Sequence, residues 1–259
     1  MKDIAVYTII LGDYDDANIL LDIYKEDNID YYFITDSKSK PVPGYIMIYI
    51  DIINNNINTY SFYKNRIPDF IREYKYSIYY DGNVTVKKKI GQLIRFVKTN
   101  DIAITISPML LNVYNHYFLC LRKNIKYKNI YNKYIKDGWK DNGINVNTKF
   151  VIRKHSKKMF EFCNLWYDEC KNHSIYVDEL SLLYCVYKSN IKLYKIINWV
   201  SFLNHFNVSM HKMSITNKKK NCGSKIYSIY QVVIFNYQKI VYLLLIYTIY
   251  LFMSQIEVY

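Results

Sequence analysis

The sequence predicts an α/β fold, on two observations. Short apolar runs rich in Ile, Val and Tyr alternate with segments whose apolar residues recur every three or four positions. The chain has 259 residues and is 51% hydrophobic, enough to fill one sizeable core and to set disorder aside.

Expected strands fall at 4–10, 29–35, 45–50, 76–80, 101–106, 150–153 and 191–196, each with the β-branched and aromatic content of a buried strand. Tyr127, Ile130, Tyr131, Tyr134 and Ile135 recur at helical spacing, so 115–136 is expected to be a helix. Its other face carries Arg122, Lys123, Lys126, Lys128, Lys133 and Lys136, either as a solvated face or as a surface for an anionic acceptor. A second helix is expected after Ser156 as N-cap, turning Met159, Phe160, Cys163, Trp166 and Cys170 inward. A third begins near Asp178 and buries Leu180, Leu183, Tyr184 and Tyr187.

The formal charge is +13, from 35 basic and 22 acidic residues, which favours anionic partners: nucleotide phosphates, acidic glycans, nucleic acid or an anionic membrane. Nucleic acid ranks last, because the basic residues are spread along the chain and no recognised motif gathers them. The abundance of Tyr, Ile, Asn and Lys suits an AT-rich microbial or large-viral source. Cys120, Cys163, Cys170, Cys185 and Cys222 are odd in number and lack a CxxC pair, so they read as reduced, packed thiols.

No secretory signal is apparent at the N-terminus, and a cytoplasmic protein is expected. The lysines at 218–220 separate a domain over 1–211 and a basic linker over 212–225 from an apolar helical tail over 226–259. The unbroken apolar run 240–253 is shorter than the roughly 20 residues of a membrane span. Two readings of the tail stay open: a helix packed on the domain, or attachment to an anionic membrane beside the lysines.

The segment YKYSIYYDGNVTV, 74–86, carries the most chemistry. A hydrophobic strand ends in Asp81-Gly82-Asn83, and in an open α/β sheet ligands gather at the carboxyl ends of strands. A carboxylate there can hold a divalent cation against a diphosphate leaving group; taken alone, Asp-Gly-Asn is first an ordinary turn signature.

That segment resembles the aspartate motif of GT-A glycosyltransferases, and the wider pattern is similar to the glycosyltransferase-like family once listed as domain of unknown function 616. The matching stretches are VYTIILGDYDD (6–16), IDYYFITDS (29–37), Lys64 ahead of YKYSIYYDGN, NDIAITISP (100–108), DGWKDNG (137–143), VIRKH (151–155) and VDELSLLYCVYKS (177–189). The resemblance implies a GT-A-like, Rossmann-type mixed central sheet flanked by helices, and a UDP- or GDP-sugar as donor. It implies that Thr8, Gly12, Asp13 and Tyr14 face the nucleotide, that Asp36 meets base or ribose, and that Lys64 approaches the phosphates. Asp81 and Asn83 would hold Mn2+ or Mg2+, with His211, or else His205, completing the shell. Asp178 and Glu179 would be the catalytic pair at the sugar or at a glycan, protein or lipid acceptor; Asp178 is equally suited to cap a helix.

The sequence departs from the family pattern. Ser61 stands where an arginine is expected, Ser107-Pro108, Leu111 and Asn115-His116 replace a charged run, Asn147 and Lys149 replace an acid and a glycine, and Val177-Asp178-Glu179 replaces Arg-Asp-Gln. Those changes fit an altered donor or acceptor, or a catalytically inactive binding protein on the same fold.

Overall fold

The computed structural model describes residues 2–12, 14–36, 40–51, 56–107, 111–120, 125–175, 177–196 and 205–208. Among them the strands are β1 (Ile4–Ile10), β2 (Ile29–Thr35), β3 (Ile46–Tyr49), β4 (Tyr76–Tyr80), β5 (Val84–Val86), β6 (Ile102–Ile106), β7 (Val146–Lys154), β8 (Leu193–Ile196) and β9 (Phe206–Val208). The α-helices are α1 (Asn56–Asn65), α2 (Val113–Cys120), α3 (Ile125–Lys136), α4 (Lys157–Asn172) and α5 (Glu179–Ser189).

Seven strands form one sheet in the order β3-β2-β1-β4-β7-β6-β8. β3, β2, β1 and β4 run parallel, β7 is antiparallel to both of its neighbours, and β8 is parallel to β6. The fold is thus the expected mixed α/β sheet flanked by helices. β5 and β9 make a separate antiparallel pair.

All seven residues of β1 are buried, because the sheet is covered on both faces. Tyr7, Ile9, Tyr79 and Val151 pack on one face with Met159, Phe162 and Trp166 of α4 and Leu180 and Leu182 of α5. Val6, Ile10, Phe33, Tyr80, Phe150 and Ile152 pack on the other with Leu20, Val86, Leu93 and Phe206. The alternation along β7 is broken once: its pairing with β6 jumps from Ile104↔Val151 to Thr105↔Asn147, a bulge. Val146 and Val151, which strict alternation would put on opposite faces, therefore share the α4 layer.

The helices differ from expectation in detail. Ser156 caps α4, accepting the Met159 N–H at 3.1 Å, and the helix buries Phe162 and Tyr167 where Phe160 was expected. α5 buries Leu182 and Cys185, while Tyr187 is exposed, since its last turn leaves the core. The helix expected over 115–136 is described as α2 and α3, and residues 121–124 lie outside the described residues. Cys163, Cys170 and Cys185 are buried free thiols. Asp13, His211, the basic linker and the apolar tail also lie outside the described residues. Among those described, no helix is long and apolar enough to cross a membrane.

Candidate active site

β4 carries Asp81 to the edge of the sheet where the parallel strands end. Residues two apart in a strand share a face, so Asp81 follows Tyr79 onto the α4 side. Its N–H donates to the Lys149 carbonyl at 2.9 Å and its own carbonyl accepts the Val84 N–H at 2.9 Å, closing a turn over Asp81-Gly82-Asn83-Val84. Gly82 is required by contact: a Cβ there would lie 2.5 Å from Ile10 Cγ1 and 3.1 Å from the Ile9 carbonyl oxygen. Asp81 both begins a turn and turns its side chain into the protein.

The last turns of α1 meet that carboxylate. Tyr60 and Lys64 are four residues apart and so share a helix face. Tyr60 donates to Asp81 Oδ1 at 2.8 Å, and Tyr79 donates to the same oxygen at 2.7 Å. Lys64 Nζ lies 3.3 Å from Asp81 Oδ1 and 3.1 Å from Asp178 Oδ2, with Lys64 only 5% exposed. Thr148 of β7 donates to Asp178 Oδ1 at 2.9 Å. Asp178 stands at the N-cap position of α5, yet its side chain makes no capping bond. Its carboxylate is given to Lys64 and Thr148, and its carbonyl accepts the Trp166 indole N–H at 3.2 Å.

Within this cluster each group's neighbours set its charge against burial. Burial works against the Lys64 ammonium, but the Asp178 and Asp81 carboxylates outweigh it and hold the amine well above its usual range. Burial works against the Asp81 carboxylate too, and Lys64, Lys149 and the two phenols outweigh it, leaving its pKa lowered. Glu179 goes the other way: burial, then the charge of Asp178, pushes its carboxyl up to about 7, with Lys64 only partly offsetting them. The Lys64 ammonium thus sits between the side chains of Asp81 and Asp178, next to a glutamic acid that titrates near neutrality.

The structure gathers Lys64, Asp81, Asp178 and Glu179, with Asn83 buried in the adjoining turn. Gly12, at φ +57, donates its N–H to Asp36 Oδ2 at 2.7 Å and ties the ends of β1 and β2 together. Tyr14 is 49% exposed, and its phenol is raised by partial burial, then by the charges of Asp15 and Asp81, which places it on the rim. Thr8 is not brought into the cluster: it alternates with Tyr7 and Ile9 and so faces the layer of Val6 and Ile10. His205 is held elsewhere, its Nε2 2.8 Å from the Gln92 amide nitrogen.

For a divalent ion, Asp81 Oδ1 is taken by Lys64 and two phenols, whereas Oδ2 accepts from none of the described residues. Asp81 and the amide of Asn83 are hard oxygen donors that fit part of a Mn2+ or Mg2+ shell. The described residues hold no group of three or more His, Cys, Asp or Glu side chains placed to bind a metal by themselves.

Tyr60, Tyr79, Thr148 and Arg153 join the site without having been singled out from sequence. Only Arg153 left a signal, as a charge inside the strand-like VIRKH.

No family model matches the chain, and no curated protein matches it. Among solved structures it is similar to an active-site mutant of LgtC, at 13% identity and a TM-score of 0.42 over 70% of each chain. It is also similar to the apo form of mouse xyloside xylosyltransferase 1, at 9% identity and a TM-score of 0.41, over 74% of this chain and 84% of that one.

Proposed function

We propose that the protein is a GT-A-like glycosyltransferase that moves a sugar from a UDP- or GDP-sugar to a hydroxyl of a glycan, protein or lipid. The observation that carries this reading is the buried Lys64 ammonium between Asp81 and Asp178, at the edge where the parallel strands end. The ordered motifs that resemble the family once listed as domain of unknown function 616 support it.

In the reaction, the acceptor oxygen bonds to the anomeric carbon as the bond from that carbon to the diphosphate oxygen breaks, and the electron pair leaves with the diphosphate. Lys64 lies at the phosphates and stabilises the charge that develops there. Asp178, fixed by Thr148, orients Lys64 and the sugar hydroxyls. On an inverting route Glu179 accepts the acceptor proton, a role suited to a carboxyl that titrates near 7. Gly12, Tyr14 and Asp36 line the nucleotide side, at the ends of β1 and β2. A Mn2+ or Mg2+ ion would be held through Asp81 and Asn83 and would act as a Lewis acid on the diphosphate. β9 runs antiparallel to β5 toward Asn83, and His211 is three residues past its end, which supports His211 as a further ligand.

Incubation with a panel of UDP- and GDP-sugars and Mn2+ is expected to release free nucleoside diphosphate from one donor class, and Asp81→Ala to abolish the release. Absence of turnover together with absence of a thermal shift by UDP or GDP would overturn the proposal. A thermal shift without turnover across an acceptor panel would instead favour a nucleotide-binding protein that has lost catalysis, as the departures from the family pattern at Asn147 and Lys149 suggest.

A further inference from the structure

Arg153 stands inside β7, is 0% exposed, and has no carboxylate within ion-pair distance among the described residues. A buried cation without a paired anion is costly, and an apolar side chain of the same length would fill the space more cheaply. Its two terminal nitrogens are nonetheless both used. One donates to the Tyr7 hydroxyl at 2.7 Å and the other to the backbone carbonyl of Lys64 at 2.7 Å. The Trp166 ring lies 6.0 Å from the guanidinium carbon.

The carbonyl it takes is one of those left without a partner at the end of α1, where the helix dipole is negative and a cation is favoured. That end of α1 carries Tyr60 and Lys64, both of which reach Asp81. It is also held from α4, through Arg66 Nε to Asn164 Oδ1 at 2.8 Å, but that bond lies one residue beyond the turn that bears the ammonium.

We infer that Arg153 is a positioning residue: by gripping the Lys64 carbonyl from β7 it sets the height and rotation of the last turn of α1, and so holds the Lys64 ammonium between Asp81 and Asp178. The link to nucleotide binding rests on the function proposed above; the effect on Lys64 itself does not.

The test uses the full chain and two readouts. The first is the slowly exchanging ammonium signal of Lys64 in proton–nitrogen spectra, identified by its loss in Lys64→Met. The second is the Kd for UDP and GDP. In Arg153→Met the Lys64 signal is expected to move or broaden toward that of an exposed lysine. Nucleotide affinity is expected to fall about tenfold or more, the size of one charge-assisted hydrogen bond. The double variant with Lys64→Met is expected to bind no more weakly than Lys64→Met alone, because Arg153 acts through Lys64. An unchanged Lys64 signal, or additive losses in the double variant, overturns the inference. Should Arg153→Met fail to fold, Arg153→Lys keeps the charge with a single nitrogen; the same displacement of the Lys64 signal is expected, and an undisturbed signal overturns the inference. Absence of nucleotide binding by the wild type counts against the proposed function, and the Lys64 signal still decides the role of Arg153.

Discussion

Lys64 is nearly sealed from water, so its two ion pairs cannot be replaced by hydration when it is removed. Lys64→Met leaves buried Asp81 and partly buried Asp178 without the counter-charge they share, and a loss of about 3–5 kcal/mol is expected. For a domain of this size that corresponds to a Tm lower by about 10 °C, read by calorimetry. Glu179 gives the opposite signature. Its folded pKa, about 7, lies above the usual 4.5, so between those values the native state keeps a proton that the unfolded chain has released. Stability therefore falls as pH rises through this window. Glu179→Gln is expected to flatten that fall, seen as a smaller decrease in Tm between about pH 5 and about pH 7.5. If Glu179 is the base on the proposed inverting route, turnover is expected to rise over the same range. In the sequence, Asp81, Lys64 and Asp178 were legible only through motifs, since each has an ordinary use as turn, surface lysine or cap. Tyr60 and Tyr79 were not legible at all: in a chain with 30 tyrosines, nothing marks the two whose hydroxyls meet one carboxylate.

At the level of elements, β1, β2 and β4 begin and end where the apolar runs do, because a strand buried on both faces has no other reading. α1 was not legible. NINTYSFYKN is rich in Asn, Thr and Ser, weak helix formers, and its buried positions include Thr59, Lys64 and Asn65 rather than an apolar stripe. Tertiary contacts make this helix: Arg153 and Arg66 hold its end, and Tyr60 and Lys64 anchor it on Asp81. The turn after β4 is constrained differently. Gly82→Ala would drive a methyl group into Ile10 and the Ile9 carbonyl, and a loss of about 1–3 kcal/mol is expected by denaturant unfolding. Because the shift also displaces Asp81, nucleotide affinity is expected to fall with it.

For the whole molecule, the alternation of strands and helices was enough to predict an α/β sheet, but not that β7 enters it backwards, since direction leaves no trace in composition. The charge of +13 likewise named a class of partners without a location. The structure puts the one fully sheltered lysine of the site among acids, so donor binding should be nearly insensitive to salt. We expect UDP affinity to change less than about threefold between about 50 and about 200 mM salt, whereas a protein making six phosphate contacts to nucleic acid would lose about a thousandfold. Titration calorimetry across that range checks it.

The bulge in β7 has a consequence for how this chain can vary. Thr148, which steadies Asp178, and Arg153, which steadies Lys64, are an odd number of positions apart, and only the irregularity between them lets both reach the same layer. A regular ladder over the same length would turn one of the two supports toward the opposite layer. In this stretch the path of the backbone is constrained as tightly as side-chain identity.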